Sequence, residues 1–167
     1  LDLLSHVLEP GAKAKFQTSD GQEVDFNRVM DDALAYLERT QADLKLGLRG
    51  GLPQVDKRKQ GIYAHSCGGL HLVQAVLGWA RFSQVRKAWG GRFDEQLAIL
   101  FYRLESERRQ YDAALEQAPQ YRLQLLTQML KCYGHFLETA ARLKEEVGWK
   151  PTALQRQTVE KAKALLD

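Results

Sequence analysis

Two short stretches concentrate the residues that can do metal or thiol chemistry. Tyr63 to Val76 reads YAHSCGGLHLVQAV and carries His65, Cys67 and His71; Lys131 to Phe136 reads KCYGHF and carries Cys132 and His135. Together they hold both cysteines and three of the four histidines in a chain of 167 residues. Cys67 and His71 are spaced i, i+4, and Cys132 and His135 are spaced i, i+3, so each pair can offer two donors from one helix face. Thiolate and imidazole are preferred donors of tetrahedral zinc, and Cys67, His71, Cys132 and His135 make a Cys2His2 set, with His65 as a spare ligand. The spacing is not that of a zinc finger, and no CxxC occurs. Haem held between His71 and His135 is a variant of the same idea, without the CxxCH of covalent attachment.

Two other chemistries compete for the same residues. Cys67 at a helix start, with His65 and His71 near in sequence, suits an activated thiol, because the helix dipole and an imidazole both favour the thiolate. An enzyme or redox sensor would then use Cys67, although no orienting carboxylate or amide can be picked out, so an enzyme is the lesser reading. The structural alternative is a Cys67–Cys132 disulfide pinning two helices, or two free buried thiols. Gly68-Gly69, costly inside a helix, would then serve close packing of helices or approach of a ligand.

The elements that must position these residues are helical. Residues 1–9 read as a short helix closed by Pro10-Gly11, and 13–24 as a hairpin around Asp20-Gly21. Asp25 is a good N-cap for an amphipathic helix over 26–47, which ends in a Gly/Pro-rich loop reaching about residue 62. Further helices are expected over 66–82, 83–89, 94–117, 119–147 and 151–166, with Gly90-Gly91, Pro119, Gly148 and Pro151 as punctuation. The expected fold is all-α, an up-and-down bundle of four to five helices with a small N-terminal β-hairpin, forming one domain over 1–167.

Helical stepping of about 100° per residue puts Cys67, His71, Gln74, Gly78 and Arg81 on one narrow polar stripe of the 66–82 helix. The rest of that helix is apolar, so the stripe either faces water or lines a polar site between helices. On 119–147, Cys132 shares the apolar face with Leu125, Met129, Phe136, Ala140, Leu143 and Val147, and His135 lies at its border. Glu138 falls on the polar face, and Glu105, Glu107, Arg108 and Arg109 read as a solvated charged band.

Composition bounds the partners. Hydrophobic residues are 44%, charged residues 27% and the net charge +3, ordinary values for a globular protein with a real core. Lys57-Arg58-Lys59 is the densest basic cluster and is too short for a nucleic-acid stripe. No apolar run reaches the length of about 18 residues that a membrane helix needs. The chain begins at Leu1 rather than Met, so a removed export leader and a start within a longer chain are both open, with a slight lean toward an extracytoplasmic protein. The apolar circumference of the 66–82 helix can be covered by this chain or by a second copy, leaving a homodimer open. The expected role is non-catalytic binding of a zinc-like metal ion or a small polar ligand by Cys67, His71, Cys132 and His135.

Overall fold

Asp25 opens the main run of helices as expected: its carboxylate accepts from the Asn27 backbone N–H at 3.1 Å, satisfying one of the free amides of the first turn. In the computed structural model, which describes residues 1–57, 61–64 and 66–165, the chain is mostly helical. The described helices are α1 (Asp2–Val7), α2 (Phe26–Thr40), α3 (Ala42–Arg49), α4 (Leu70–Trp79), α5 (Ser83–Trp89), α6 (Gly91–Gln117), α7 (Arg122–Glu146) and α8 (Ala153–Ala164). An antiparallel pair, β1 (Lys15–Gln17) and β2 (Glu23–Asp25), lies between α1 and α2, with Phe16 opposite Val24. His65, Arg58 and Lys59 lie outside the described residues, as do 166–167 at the end of the last expected helix.

Several expected helices differ in their bounds from the sequence pattern: the one expected from Asp94 starts at Gly91, and the last one runs Ala153–Ala164. The 26–47 run breaks at Gln41, whose φ of −103° and ψ of 14° interrupt the helix. Thr40 there turns its hydroxyl back onto the Tyr36 carbonyl at 2.9 Å, the local competition with the helix ladder expected of a β-branched hydroxyl. The expected 66–82 helix begins only at Leu70 and ends at Trp79. Residues 119–121 form a separate tight turn before α7.

The core is built on α4. Leu70, Val73, Ala75, Val76, Leu77 and Trp79 are buried, within the single chain, among residues of α2, α6 and α7. A second copy is therefore not needed to cover this helix. Trp79 meets Phe26 edge-on at 5.3 Å, and Phe101 of α6 meets Phe136 of α7 at 5.1 Å, the T-shaped geometry that aromatic quadrupoles favour. No described helix is long and apolar enough to cross a membrane.

Part of the expected polar stripe makes contacts within the protein, while His71 on the same stripe is exposed. Gly78 lies under α1, where a Cβ would make ordinary contacts with Ser5 Oγ at 3.8 Å and His6 Cε1 at 3.9 Å. Arg81 donates to the carbonyls of Ser5, His6 and Leu8, satisfying orphan acceptors at the end of α1. Gln74 is 2% exposed and reaches across to α7.

Candidate metal centre

Cys67 does not sit in the first turn of a helix. Cys67, Gly68 and Gly69 adopt consecutive left-handed conformations, with φ of 58°, 56° and 71°, immediately before α4. Cys67 is the non-glycine residue with positive φ among the described residues, a conformation that costs an L-residue about 1–2 kcal/mol. The two glycines that follow it are closely surrounded. A Cβ on Gly68 would overlap Arg103 Nη2, and one on Gly69 would overlap Ile62 Cγ1, so both positions need glycine for space as well as for φ. The expected helix over 66–69 fails for this reason: the two glycines carry a sharp left-handed turn, not a helical interior.

That turn brings Cys67 to His71 and His135. One donor atom from each of the three lies within 4.8 Å of the others. The His71 and His135 rings meet edge-on, with centroids 4.3 Å apart and planes at 70°. Donors on a tetrahedral zinc stand about 3.5 Å apart, so closure on an ion needs shifts of about 1 Å. His71 is exposed, and Cys67 and His135 are half-buried. The centre lies at the surface, between the start of α4 and the middle of α7.

A hydrogen-bonded chain behind the histidines fixes their orientation. Gln74 Nε2 donates to Glu138 Oε2 at 2.8 Å, so the carbonyl oxygen of the same amide faces His71. That oxygen is an acceptor only, and His71 Nδ1, 3.1 Å away, must carry the proton. In its neutral form His71 then presents an unprotonated Nε2, the form that binds metal. Glu138 Oε2 also stands 3.6 Å from His135 Nδ1, and Glu138 Oε1 is paired with Arg142 Nη2 at 3.0 Å. The Gln74 hydrogen bond, reinforced by Arg142 and His135 against a smaller opposing effect of burial, holds the Glu138 carboxyl below the usual range. Glu138 is thus a carboxylate committed to orienting its neighbours.

Cys132 is not part of this group. Its side chain points into the core, as the apolar face of α7 requires, and its Sγ donates to Glu107 Oε2 at 3.5 Å. Burial, with the Glu107 charge added to it, pushes the thiol up to about 12. The donors that converge are Cys67, His71 and His135, without the Cys132 of the expected Cys2His2 set. Both cysteines are free in this structure.

The residues around Cys132 form a buried ion cluster. Glu107, expected in a solvated band, is 2% exposed; it accepts from Arg103 Nε at 2.6 Å and from Lys57 Nζ at 3.0 Å. Burial disfavours both charges, yet their attraction outweighs it: Glu107 is held below its usual value and Arg103 above. The Arg103 guanidinium lies 5.1 Å from the Tyr63 ring and underlies Gly68. Ser106 and Gln110 of α6 bind the backbone of Val55, strapping the preceding loop onto the same helix.

No family model, curated protein or solved structure matches the chain. The geometry of the centre therefore carries the functional argument alone. Sequence pattern finds its three donors and places Gln74 on their stripe and Glu138 on the polar face, but not the supporting roles of these two. The one signal for them is spacing: Gln74 stands three residues after His71, and Glu138 three after His135.

Proposed function

We propose that the protein is a non-catalytic binding protein, built as an up-and-down helical bundle, that holds one zinc-like divalent ion through Cys67 Sγ, His71 Nε2 and His135 Nε2. The observation that carries this reading is the convergence of one thiol and two imidazoles from two separate elements within 4.8 Å. The supporting shell has the form metal sites require. An amide fixes the tautomer of His71, a carboxylate stands beside His135, and an arginine holds that carboxylate. Thiolate with imidazole selects zinc, copper or cobalt over magnesium and calcium, which prefer oxygen. Competition titration against a chromophoric chelator tests the reading: one zinc per chain is expected, with binding abolished in Cys67→Ser and unchanged in Cys132→Ser. Equal losses in the two variants contradict it.

One observation favours a second reading, an activated thiol. Cys67, His71 and Gln74 stand in the order nucleophile, base and orienting amide, with His71 Nδ1 held by Gln74 Oε1 at 3.1 Å. Alkylation of Cys67 in metal-free protein decides it. A rate that falls in both His71→Ala and Gln74→Ala favours the thiol, and a rate indifferent to both removes it.

A further inference from the structure

We infer that the outward face of α7 pairs with the same face of a second copy of the chain, as an antiparallel two-helix seam about a two-fold axis. The inference is independent of the metal reading. It starts from the side of α7 turned away from the core. Leu123, Thr127, Leu130, Gly134, Leu137 and Ala141 follow one another at alternating steps of four and three residues, the spacing of a coiled-coil seam. Met129, Cys132, Phe136 and Leu143, which bury against the core, lie on the other side of the helix.

A helix face opposite the core ordinarily carries polar and charged side chains. This one carries leucines: Leu123 is 76% exposed and Leu130 54%. Small residues alternate with them. Among the described residues, no atom lies within 4 Å of a Cβ built on Gly134, so the backbone there is open to close approach. The alternation of large and small sets the direction of the pairing. A parallel copy would put leucine against leucine and small residue against small residue. An antiparallel copy puts each leucine against a small residue, which is how facing positions interdigitate.

Charge sets the register. Lys131 and Glu138 border the seam on the same side, one heptad apart, and both are exposed. Two antiparallel registers place leucines on small residues. One brings Lys131 beside the partner's Lys131. The other sets Leu130 on the partner's Ala141 and Leu137 on the partner's Gly134, and brings Lys131 beside the partner's Glu138. Opposite charges favour the second register and like charges disfavour the first. Glu138 already pairs with Arg142 of its own chain, yet its side chain is 44% exposed, and a carboxylate accepts more than two donors. The two-fold axis then crosses α7 at the level of residues 135 and 136, and every contact occurs twice, as an isologous interface requires. A face that matches itself in both shape and charge points to a second copy rather than to an unrelated chain. One helix per copy makes a small interface, so the pairing is expected to depend on concentration.

Sedimentation equilibrium of the full chain tests the inference, with chelator and reductant present so that neither a shared ion nor a disulfide can join two copies. A monomer–dimer equilibrium is expected in wild type. Lys131→Glu, an exposed change that sets two carboxylates against each other across each border, is expected to raise the dissociation constant at least about tenfold. Gly134→Arg, which puts a long side chain into the seam, is expected to do the same, with circular dichroism showing wild-type helicity. If Gly134→Arg does not fold, Lys131→Glu carries the test alone. A wild-type chain that stays monomeric at every concentration leaves this face to another occupant and overturns the inference. A dimer that forms equally well in both variants lies on another face, and also overturns it. A dimer weakened by Gly134→Arg but indifferent to Lys131→Glu overturns the antiparallel register.

Discussion

At the scale of single residues, the centre depends on a left-handed turn more than on any donor. Cys67 reaches the histidines because three successive residues have positive φ, and two of them are glycines with no room for a side chain. Gly68→Ala is therefore expected to destabilise the protein by at least about 1–2 kcal/mol from left-handed strain alone, with the overlap on Arg103 added. Urea denaturation measures the stability loss, and zinc titration of the same variant is expected to show weaker binding. Stability and affinity both unchanged would mean the turn does not position Cys67. In sequence, the four letters SCGG are also compatible with the start of a helix. Neither the hand of the turn nor the obstruction at Gly68 is local information, since the obstructing group is Arg103, on α6.

At the scale of elements, α6 and α7 explain what became of Cys132. Its placement on the apolar face of α7 was legible from periodicity, because burial follows the 3.6-residue repeat. Its partner was not. Glu105, Glu107, Arg108 and Arg109 look alike as a charged run, and only tertiary contact separates Glu107, which is buried, from Arg108, which pairs with Asp112 and Glu105 near the surface. Removing one partner of a buried ion pair leaves an uncompensated charge, so Glu107→Gln is expected to cost about 3–5 kcal/mol. The pH dependence has a defined sign. Glu107 is held below its ordinary 4.5 in the folded state, so its contribution is complete above about pH 4.5 and is lost as pH falls through the folded value. Denaturation midpoints measured across the acid range are expected to decline more steeply in wild type than in Glu107→Gln. Parallel declines would place the acid sensitivity elsewhere.

At the scale of the whole molecule, helical content and the N-terminal hairpin were readable from caps, breakers and periodicity, and α5 matches its expected bounds of 83–89. The break at Gln41 was not readable, because no glycine or proline marks it. The polar stripe of α4 was visible as a stripe, but its use was not: Gly78 and Arg81 seat α1, and Gln74 bridges to α7. The proposed centre joins the N-terminal end of α4 to α7, so an ion there would tie together two helices that carry much of the core. Zinc at about one hundred times its dissociation constant is expected to stabilise the fold by about 2.7 kcal/mol. For a chain of this size that is a rise in Tm of roughly 5–10 °C. Differential scanning calorimetry checks it, and the rise is expected to vanish in Cys67→Ser. A rise that persists in Cys67→Ser would place the ion away from this centre.

The most direct test of the centre is X-ray absorption at the zinc edge of the loaded protein. One sulfur at about 2.3 Å and nitrogen or oxygen donors at about 2.0 Å are expected, the sulfur being Cys67 and two of the lighter donors the imidazoles of His71 and His135. Two sulfurs per zinc would return Cys132 to the site or bring in a second chain. No sulfur, or no bound zinc, would contradict the centre outright.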